Sequence, residues 1–296
     1  MSAPGGSYLV VHHPGPLSTV QDLGRAGWAA LGVPPSGASD SRSLTLANRL
    51  VGNPEHAACV EASLGGLTVE LTAARHIALT GAHTAADLAG RPVAANTPYY
   101  ARPGDVLRLG RPLGGGLRTY LAVSGGIAVD PTLGSRSTDL LAGLGPPPLR
   151  PGHRLPLGDQ PSPRTMVDLA PSPALPARPV LDVVPGPRDD WFTPDGLATL
   201  TGNPYTVTAD ANRVGVRLDG PALTRRVTAE LGPEGMPTGA LQVPPSGQPI
   251  LFLTDHPATG GYPVIAVVTT RCLPLAGQLA PGDTVSFRFA RGADEF

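Results

Sequence analysis

The 296-residue chain contains no lysine; all 22 of its basic side chains are arginine. Such a chain cannot form a Schiff base through a side-chain amine or set a P-loop lysine on a phosphate. It cannot carry amide-linked biotin either. Carboxylate or phosphate recognition must therefore use arginine, backbone N–H groups or a metal. Cysteine is nearly as scarce: Cys59 and Cys272 are the only two. They make no disulfide framework, and buried thiols in a reducing cytoplasm are expected. No apolar run reaches the ~18 residues of a membrane-crossing helix. The N-terminal MSAPGGSYLVVHH lacks the basic and apolar stretches of a signal peptide. With a formal net charge of −1, nothing draws the chain to nucleic acid or an anionic membrane. The familiar catalytic signatures G-x-S-x-G, H-E-x-x-H, C-x-x-C, Walker A and a strand-linked G-x-G-x-x-G are all missing. His12 and His13 are adjacent, so on a strand they point to opposite faces and make a poor metal site.

Glycine and proline, by contrast, are abundant, at 38 and 36 residues. Apolar content is ordinary at 41%, so the chain is turn-rich and globular rather than disordered. Short apolar runs bounded by these residues predict strands at 8–11, 67–71, 77–79, 106–109, 120–123, 180–184, 250–253, 264–268 and 284–289. Pro-Gly-X recurs at Pro103-Gly104-Asp105, Pro151-Gly152-His153 and Pro281-Gly282-Asp283, a tight turn in each case. Many short strands with such turns mean a barrel or sandwich. Two short helices are expected. One is capped by Ser39 or Asp40, with Leu44, Ala47, Leu50 and Val51 on one face and Gly52 after it. The other is capped by Thr193, with Pro194 first, Leu197 and Leu200 inward, and Gly202 at its end. The proline density between Pro146 and Pro179 favours an extended connector. The expected division is an N-terminal β subdomain at 1–160, a linker at 161–178 and a C-terminal β-barrel subdomain at 179–296. Val33-Pro34-Pro35-Ser36-Gly37 recurs as Val243-Pro244-Pro245-Ser246-Gly247, an echo compatible with two related halves or with chance.

Three segments carry more polar groups than a turn needs. The first is Thr19–Gly27 followed by Ser36–Asp40, where acids, an arginine and hydroxyls sit among glycines that let a ligand come close to backbone. The second, Gly134–Asp139, surrounds Arg136 with hydroxyls. The third is Thr254–Pro263, where Gly260 and Gly261 beside Thr259 and Tyr262 could present N–H groups to an anion. Each is equally open to reading as a self-capped turn.

Taken in order, these segments are similar to a known family. Thr19-Val-Gln-Asp-Leu-Gly-Arg25, Gly32-Val-Pro-Pro-Ser-Gly-Ala-Ser-Asp40, Ala47-Asn-Arg-Leu-Val-Gly-Asn53, Glu61-Ala-Ser-Leu-Gly-Gly66 and Leu79-Thr-Gly-Ala82 resemble the KipA-like carboxyltransferase-domain family. So do Tyr120-Leu-Ala-Val-Ser-Gly-Gly126, Gly134-Ser-Arg-Ser-Thr-Asp139, Gly239-Ala-Leu-Gln-Val-Pro-Pro245 and Thr259-Gly-Gly-Tyr-Pro263. The resemblance runs from about residue 9 to 289. It implies a mainly β fold of two β-barrel-like subdomains related to cyclophilin, with a few short helices. The family embraces the C subunit of bacterial 5-oxoprolinase, the carboxyltransferase part of urea carboxylase (once labelled the second subunit of allophanate hydrolase), and an antagonist of the kinase inhibitor KipI. Its implied partners are a KipI-like B subunit together with a lactam-utilisation A subunit. ATP and Mg²⁺ would be shared with the partner, and no metal site is expected from this chain's residues alone.

The departures are specific. Gln-Thr-Thr-Gly-Gly-Tyr-Pro-Lys of the family reads Pro257-Ala258-Thr259-Gly260-Gly261-Tyr262-Pro263-Val264, so any role of that lysine is lost. Ser-x-Arg-Met-Gly reads Ala211-Asn212-Arg213-Val214-Gly215, keeping Arg213 and Gly215. The expected activity is ATP-dependent opening of the 5-oxoproline lactam as part of a complex. A substrate carboxylate calls for an arginine clamp, Arg136 or Arg213, and Mg²⁺ or a proton calls for carboxylates, Asp40 and Asp255. Oxygen-stabilising donors would be the Gly260 and Gly261 N–H groups with Thr259 and Tyr262. Ser36 and Gln242 complete the candidate substrate contacts. The alternatives are one component of a biotin-dependent carboxyltransferase, its biotin on another chain, and a non-catalytic KipI-binding antagonist.

Overall fold

The computed structural model describes residues 6–160, 167–171 and 174–290. The chain divides into two compact units. The first takes the described residues of Met1–Arg25, Asp40–Asp139 and Gly143–Ala174, and the second those of Ala26–Ser39, Leu140–Ala142 and Leu175–Phe296. The units therefore interleave in sequence, since 26–39 and 140–142 are built into the second. Residues 161–166 and 172–173 of the expected linker lie outside the described residues.

The first unit is two antiparallel sheets around one core. One sheet orders Arg154–Pro156, Tyr8–Pro14, Leu67–Leu71, Val106–Pro112, Thr84–Leu88 and Arg91–Val93; the other orders Leu17–Gln21, Cys59–Ser63, Arg118–Val123, Arg75–Gly81 and Pro98–Ala101. Leu67–Leu71 alternates buried and half-buried residues, as a strand with one covered face should. Cys59–Ser63 and Arg118–Val123 are buried throughout, so both of their faces are covered. Val60, Ala62, Leu121 and Val123 join the apolar core between the sheets. The opposite face carries Glu61, Arg118 and Tyr120, and on this second sheet sits the helix Ser41–Leu50, with Thr80 Oγ1 donating to Ser43 O at 2.7 Å.

Asp40 caps that helix through Ser43 N–H at 3.0 Å, a contact worth about 1 kcal/mol. Leu44, Ala47 and Leu50 bury its inner face, and Gly52 follows with φ 74°. Asn48 and Asn53 explain the polar run at the helix end. Asn48 Nδ2 donates to Ala57 O at 2.7 Å, Asn53 Nδ2 to Val123 O at 2.9 Å, and Asn53 Oδ1 accepts from Gly125 N–H at 2.8 Å.

The second unit is a closed barrel of seven strands: Val180–Pro185, Val264–Val268, Ala240–Gln242, Ile250–Phe252, Gly215–Asp219, Tyr205–Val207 and Thr284–Phe289. A parallel pairing of the first and last of these closes the ring, Leu181 opposite Phe287. The helix Pro194–Gly202 is capped by Thr193, whose Oγ1 accepts from Gly196 N–H at 3.0 Å. Leu200 is buried, and Leu197 packs at the edge of the barrel core.

The three Pro-Gly-X turns share one geometry. Gly104, Gly152 and Gly282 have φ of 84°, 85° and 91°, the left-handed region that glycine enters without a Cβ penalty. In each, the residue after glycine donates back three positions, to Arg102 O, Arg150 O and Ala280 O, while the glycine N–H donates to another strand or its end. The two Val-Pro-Pro-Ser-Gly copies both lie in the barrel unit and differ in backbone: Ser36 has φ 53°, whereas Ser246 is not left-handed. They do not mark two duplicated halves. Both cysteines are buried free thiols, and burial pushes the Cys59 thiol far above its ordinary pKa.

Candidate functional site

In the barrel unit the sequence-nominated residues gather around one buried ion pair. Arg213 and Asp255 are 1% and 0% exposed. Arg213 Nε donates to Asp255 Oδ2 and Nη2 to Asp255 Oδ1, both at 3.0 Å, a bidentate contact. Asp255 Oδ1 also accepts from Ser36 Oγ at 2.8 Å, and Oδ2 from Leu140 N–H at 3.3 Å. Four donors fill the roughly four lone-pair sites of a carboxylate. The other guanidinium donors reach Gly37 O at 2.6 Å, Ser39 Oγ at 3.2 Å and Thr254 Oγ1 at 3.2 Å. Ser36 is held left-handed, and its N–H donates to Thr254 O at 2.9 Å. The arrangement joins the 36–39 segment to the Thr254–Asp255 turn. It leaves Arg213 no vacant fork for a substrate and Asp255 no vacant oxygen for a metal.

The stretch that follows Asp255 presents groups outward. His256 is buried, with Nδ1 2.8 Å from Pro257 O and Nε2 3.0 Å from Thr238 Oγ1. The carbonyl can only accept, so Nδ1 carries the proton and Nε2 accepts from the threonine hydroxyl. Burial lowers the pKa of His256, more than the Pro257 carbonyl and Asp255 raise it. Thr259–Gly260 pairs with Glu234–Gly235 as a two-residue ladder. Gly260 and Gly261 both have φ outside the left-handed region, so the alternating-hand nest expected of them is not formed. Gln242 is buried and donates from Nε2 to Tyr262 O at 3.1 Å. A Cβ on Gly260 would lie 2.4 Å from that nitrogen, so glycine is required for the close approach. Tyr262 is 45% exposed and Thr259 is exposed.

The remaining nominees belong to the first unit. Asp40 is a buried helix cap: its carboxylate accepts from Ser43 N–H and, at 2.6 Å, from Ser43 Oγ, while its own N–H donates to Tyr120 Oη at 2.8 Å. Tyr120 donates to Glu61 Oε2 at 2.7 Å, with Arg118 Nε 3.4 Å from Glu61 Oε1. Burial, then the Glu61 and Asp40 carboxylates, keep the Tyr120 phenol protonated well above its ordinary pKa against the pull of Arg118.

The Gly134–Asp139 loop is built on Asp22, a hub that reasoning from the sequence placed in a polar segment without assigning it a role. Asp22 Oδ1 accepts from Gly24 N–H at 2.8 Å and from Ser135 Oγ and Ser137 Oγ at 2.6 Å each, and Oδ2 accepts from Arg136 N–H at 2.6 Å. Asp139 pairs with Arg25 across 3.7 Å, both side chains fully buried. Arg136 itself is half-buried, its Nε donating to Val129 O at 2.7 Å, and no acid among the described residues pairs with it. Among the described residues no three His, Cys, Asp or Glu side chains gather as a metal site, and no helix is long and apolar enough to cross a membrane.

Comparison with known proteins matches this chain over most of its length. A family model described as "Carboxyltransferase domain, subdomain A and B" matches residues 31–289. The C subunit of 5-oxoprolinase from Escherichia coli K12 is 37% identical over 282 residues, 94% of this chain and 90% of that protein. The protein of the same name from Haemophilus influenzae is 33% identical, covering 91% of this chain and 87% of that protein. The crystal structure of the Kluyveromyces lactis urea carboxylase superposes with a TM-score of 0.89 at 30% identity over 98% of this chain. There the chain spans only 28% of the larger protein. The chain belongs to the carboxyltransferase-domain family, subdomains A and B.

Proposed function

We propose that the chain is the C subunit of an ATP-dependent 5-oxoprolinase, opening 5-oxoproline to glutamate together with a KipI-like B subunit plus a lactam-utilisation A subunit. The observation that carries this reading is the 37% identity to the corresponding 5-oxoprolinase component of E. coli across 90% of that protein. A cytoplasmic setting belongs to the same reading, and its two thiols are buried. Amide resonance makes unassisted lactam hydrolysis slow. ATP, bound with the partner subunits, would supply phosphoryl activation of the lactam oxygen. Asp40 and Asp255 do not suit Mg²⁺, because both are buried and engaged in capping or ion pairing. This chain's share is recognition and orientation: in the first unit Arg136 for an oxyanion such as a phosphoryl group, and in the barrel unit Thr259, Tyr262 and the neighbouring N–H groups as donors to oxygen.

The second reading is a carboxyltransferase acting on urea or a related amide. It is favoured by the likeness to urea carboxylase, and the lysine-free sequence requires the biotin to sit on another chain. Phosphate and glutamate release is the deciding assay, run with 5-oxoproline and with urea, on the chain alone and with its partners. The chain alone is expected to be inert, and 5-oxoproline-dependent turnover is expected only from the complete set. Urea-dependent turnover with a biotin carrier, and none with 5-oxoproline, would replace the first reading by the second.

A further inference from the structure

One arginine of the barrel unit is half-buried with no acid beside it among the described residues. Arg225 is anchored by an antiparallel bridge of its backbone to Phe192, and its Nη2 donates to Val243 O. This holds the guanidinium beside the end of the strand Ala240–Gln242. There Val243 N–H donates to Pro263 O at 3.0 Å and Gln242 Nε2 to Tyr262 O at 3.1 Å. Arg225 Nε is buried and has no hydrogen-bond acceptor, and among the described residues no carboxylate lies within ion-pair reach of it. Three fully buried arginines have one: Arg25 has Asp139, Arg118 has Glu61 and Arg213 has Asp255, whereas the buried Arg75, whose Nε also lacks an acceptor, has none among the described residues. Burial lowers the pKa of Arg225, and the nearby Tyr262 acts the other way. A buried N–H with no acceptor is costly unless something supplies one.

We propose that Arg225, with the half-exposed Tyr262 nearby, forms a binding site for a small carboxylate. The guanidinium offers a flat fork suited to a planar, two-oxygen anion, and Tyr262 offers a neutral donor. The site rests on the 5-oxoprolinase reading only for the identity of its ligand. 5-Oxoproline carries a carboxylate, whereas urea and 2-pyrrolidinone do not. The site therefore distinguishes an acidic lactam from a neutral amide.

The test is calorimetric titration of the full-length chain with 5-oxoproline, with 2-pyrrolidinone (the same lactam without its carboxylate) and with acetate. Wild type is expected to bind 5-oxoproline about ten- to a hundredfold more tightly than 2-pyrrolidinone, the range for one charge-assisted contact. Arg225→Gln should erase that gap and leave 2-pyrrolidinone binding unchanged. Arg225→Lys should restore only part of it, because an ammonium cannot hold Val243 O and a ligand in one plane. Should the glutamine variant not fold, the lysine variant decides, and an undiminished gap in it overturns the site. A preserved gap in Arg225→Gln overturns it as well, as does a wild type that binds neither 5-oxoproline nor acetate at millimolar concentration. Kinetics of the assembled complex separate the two proposals. An unchanged KM for 5-oxoproline in Arg225→Gln sinks the site and spares the function. A wild-type complex inert toward 5-oxoproline, with acetate binding still dependent on Arg225, does the reverse.

Discussion

Replacing Asp255 with asparagine would test whether the acid of the Thr254–Asp255 turn works as a structural tie or as a chemical group. The variant keeps the shape of the side chain but leaves the Arg213 guanidinium, 1% exposed, without its countercharge. Removing one partner of a buried pair costs about 3–5 kcal/mol, most of it the uncompensated charge left behind. At about 2–4 °C per kcal/mol for a unit of this size, the expected fall in melting temperature is about 6–20 °C. Arg213→Met should cost a similar amount by stranding Asp255 among Ser36 and Leu140. The double variant Arg213→Met/Asp255→Asn should melt higher than the sum of the single losses predicts, because the two charges leave together. Circular dichroism melts of all four proteins give the coupling, and turnover of the assembled complex well below the lowest melting point gives the activity. Asp255→Asn melting within about 2 °C of wild type, less than 1 kcal/mol on the same scale, while turnover is abolished would refute the structural assignment. The acid would then belong to the chemistry.

The Asp22 hub gives Arg136 a fixed backbone and leaves its guanidinium without an acid, so Arg136→Ala should weaken substrate use by the complex about ten- to a hundredfold. Its melting temperature should hold, and Arg136→Lys should recover only part of the loss; an early melt with substrate affinity kept would make this arginine structural. His256 is held neutral, its folded pKa below the 6.5 of the free side chain. The unfolded chain therefore takes up a proton that the folded one refuses. Stability is full above pH ~6.5 and falls as the pH drops below it. Denaturant titrations across that range should show the slope in wild type and its loss in His256→Gln, and an unchanged slope would clear His256 of it.

Much of the barrel and sheet pattern could be read locally, because turn chemistry is local. The three Pro-Gly-X sites, the strands Leu67–Leu71, Val264–Val268 and Thr284–Phe289, and both capped helices needed only neighbours in sequence. Strands with buried polar residues were not legible in the same way. Cys59–Ser63 buries Glu61 on its face away from the apolar core, and what makes that tolerable is Tyr120 and Arg118, on a strand far along the chain. The site shows the same limit. Arg213 and Asp255 could be singled out as chemical types, but not their saturation by each other and by Ser36, 219 positions away from Asp255. Arg225 escaped notice because nothing in Thr224-Arg225-Arg226 sets it apart; its meaning comes from an absent acid, visible only in three dimensions.

The interleaving of the two units has a kinetic consequence during synthesis. Residues 26–39 leave the ribosome early, yet Ser36 cannot bond Thr254 and Asp255 until the chain has grown past them. The barrel likewise cannot close until Thr284–Phe289 arrives to lie alongside Val180–Pro185. Contacts so distant in sequence carry a large loop-closure cost before they return any stability. The nascent chain must hold that early segment, whose Ser36 and Ala38 are buried in the finished fold, unpaired while most of the protein is still being made. Slow translation past residue 40 would lengthen that exposure, and holdase chaperones would find their target there rather than in the first unit's sheets.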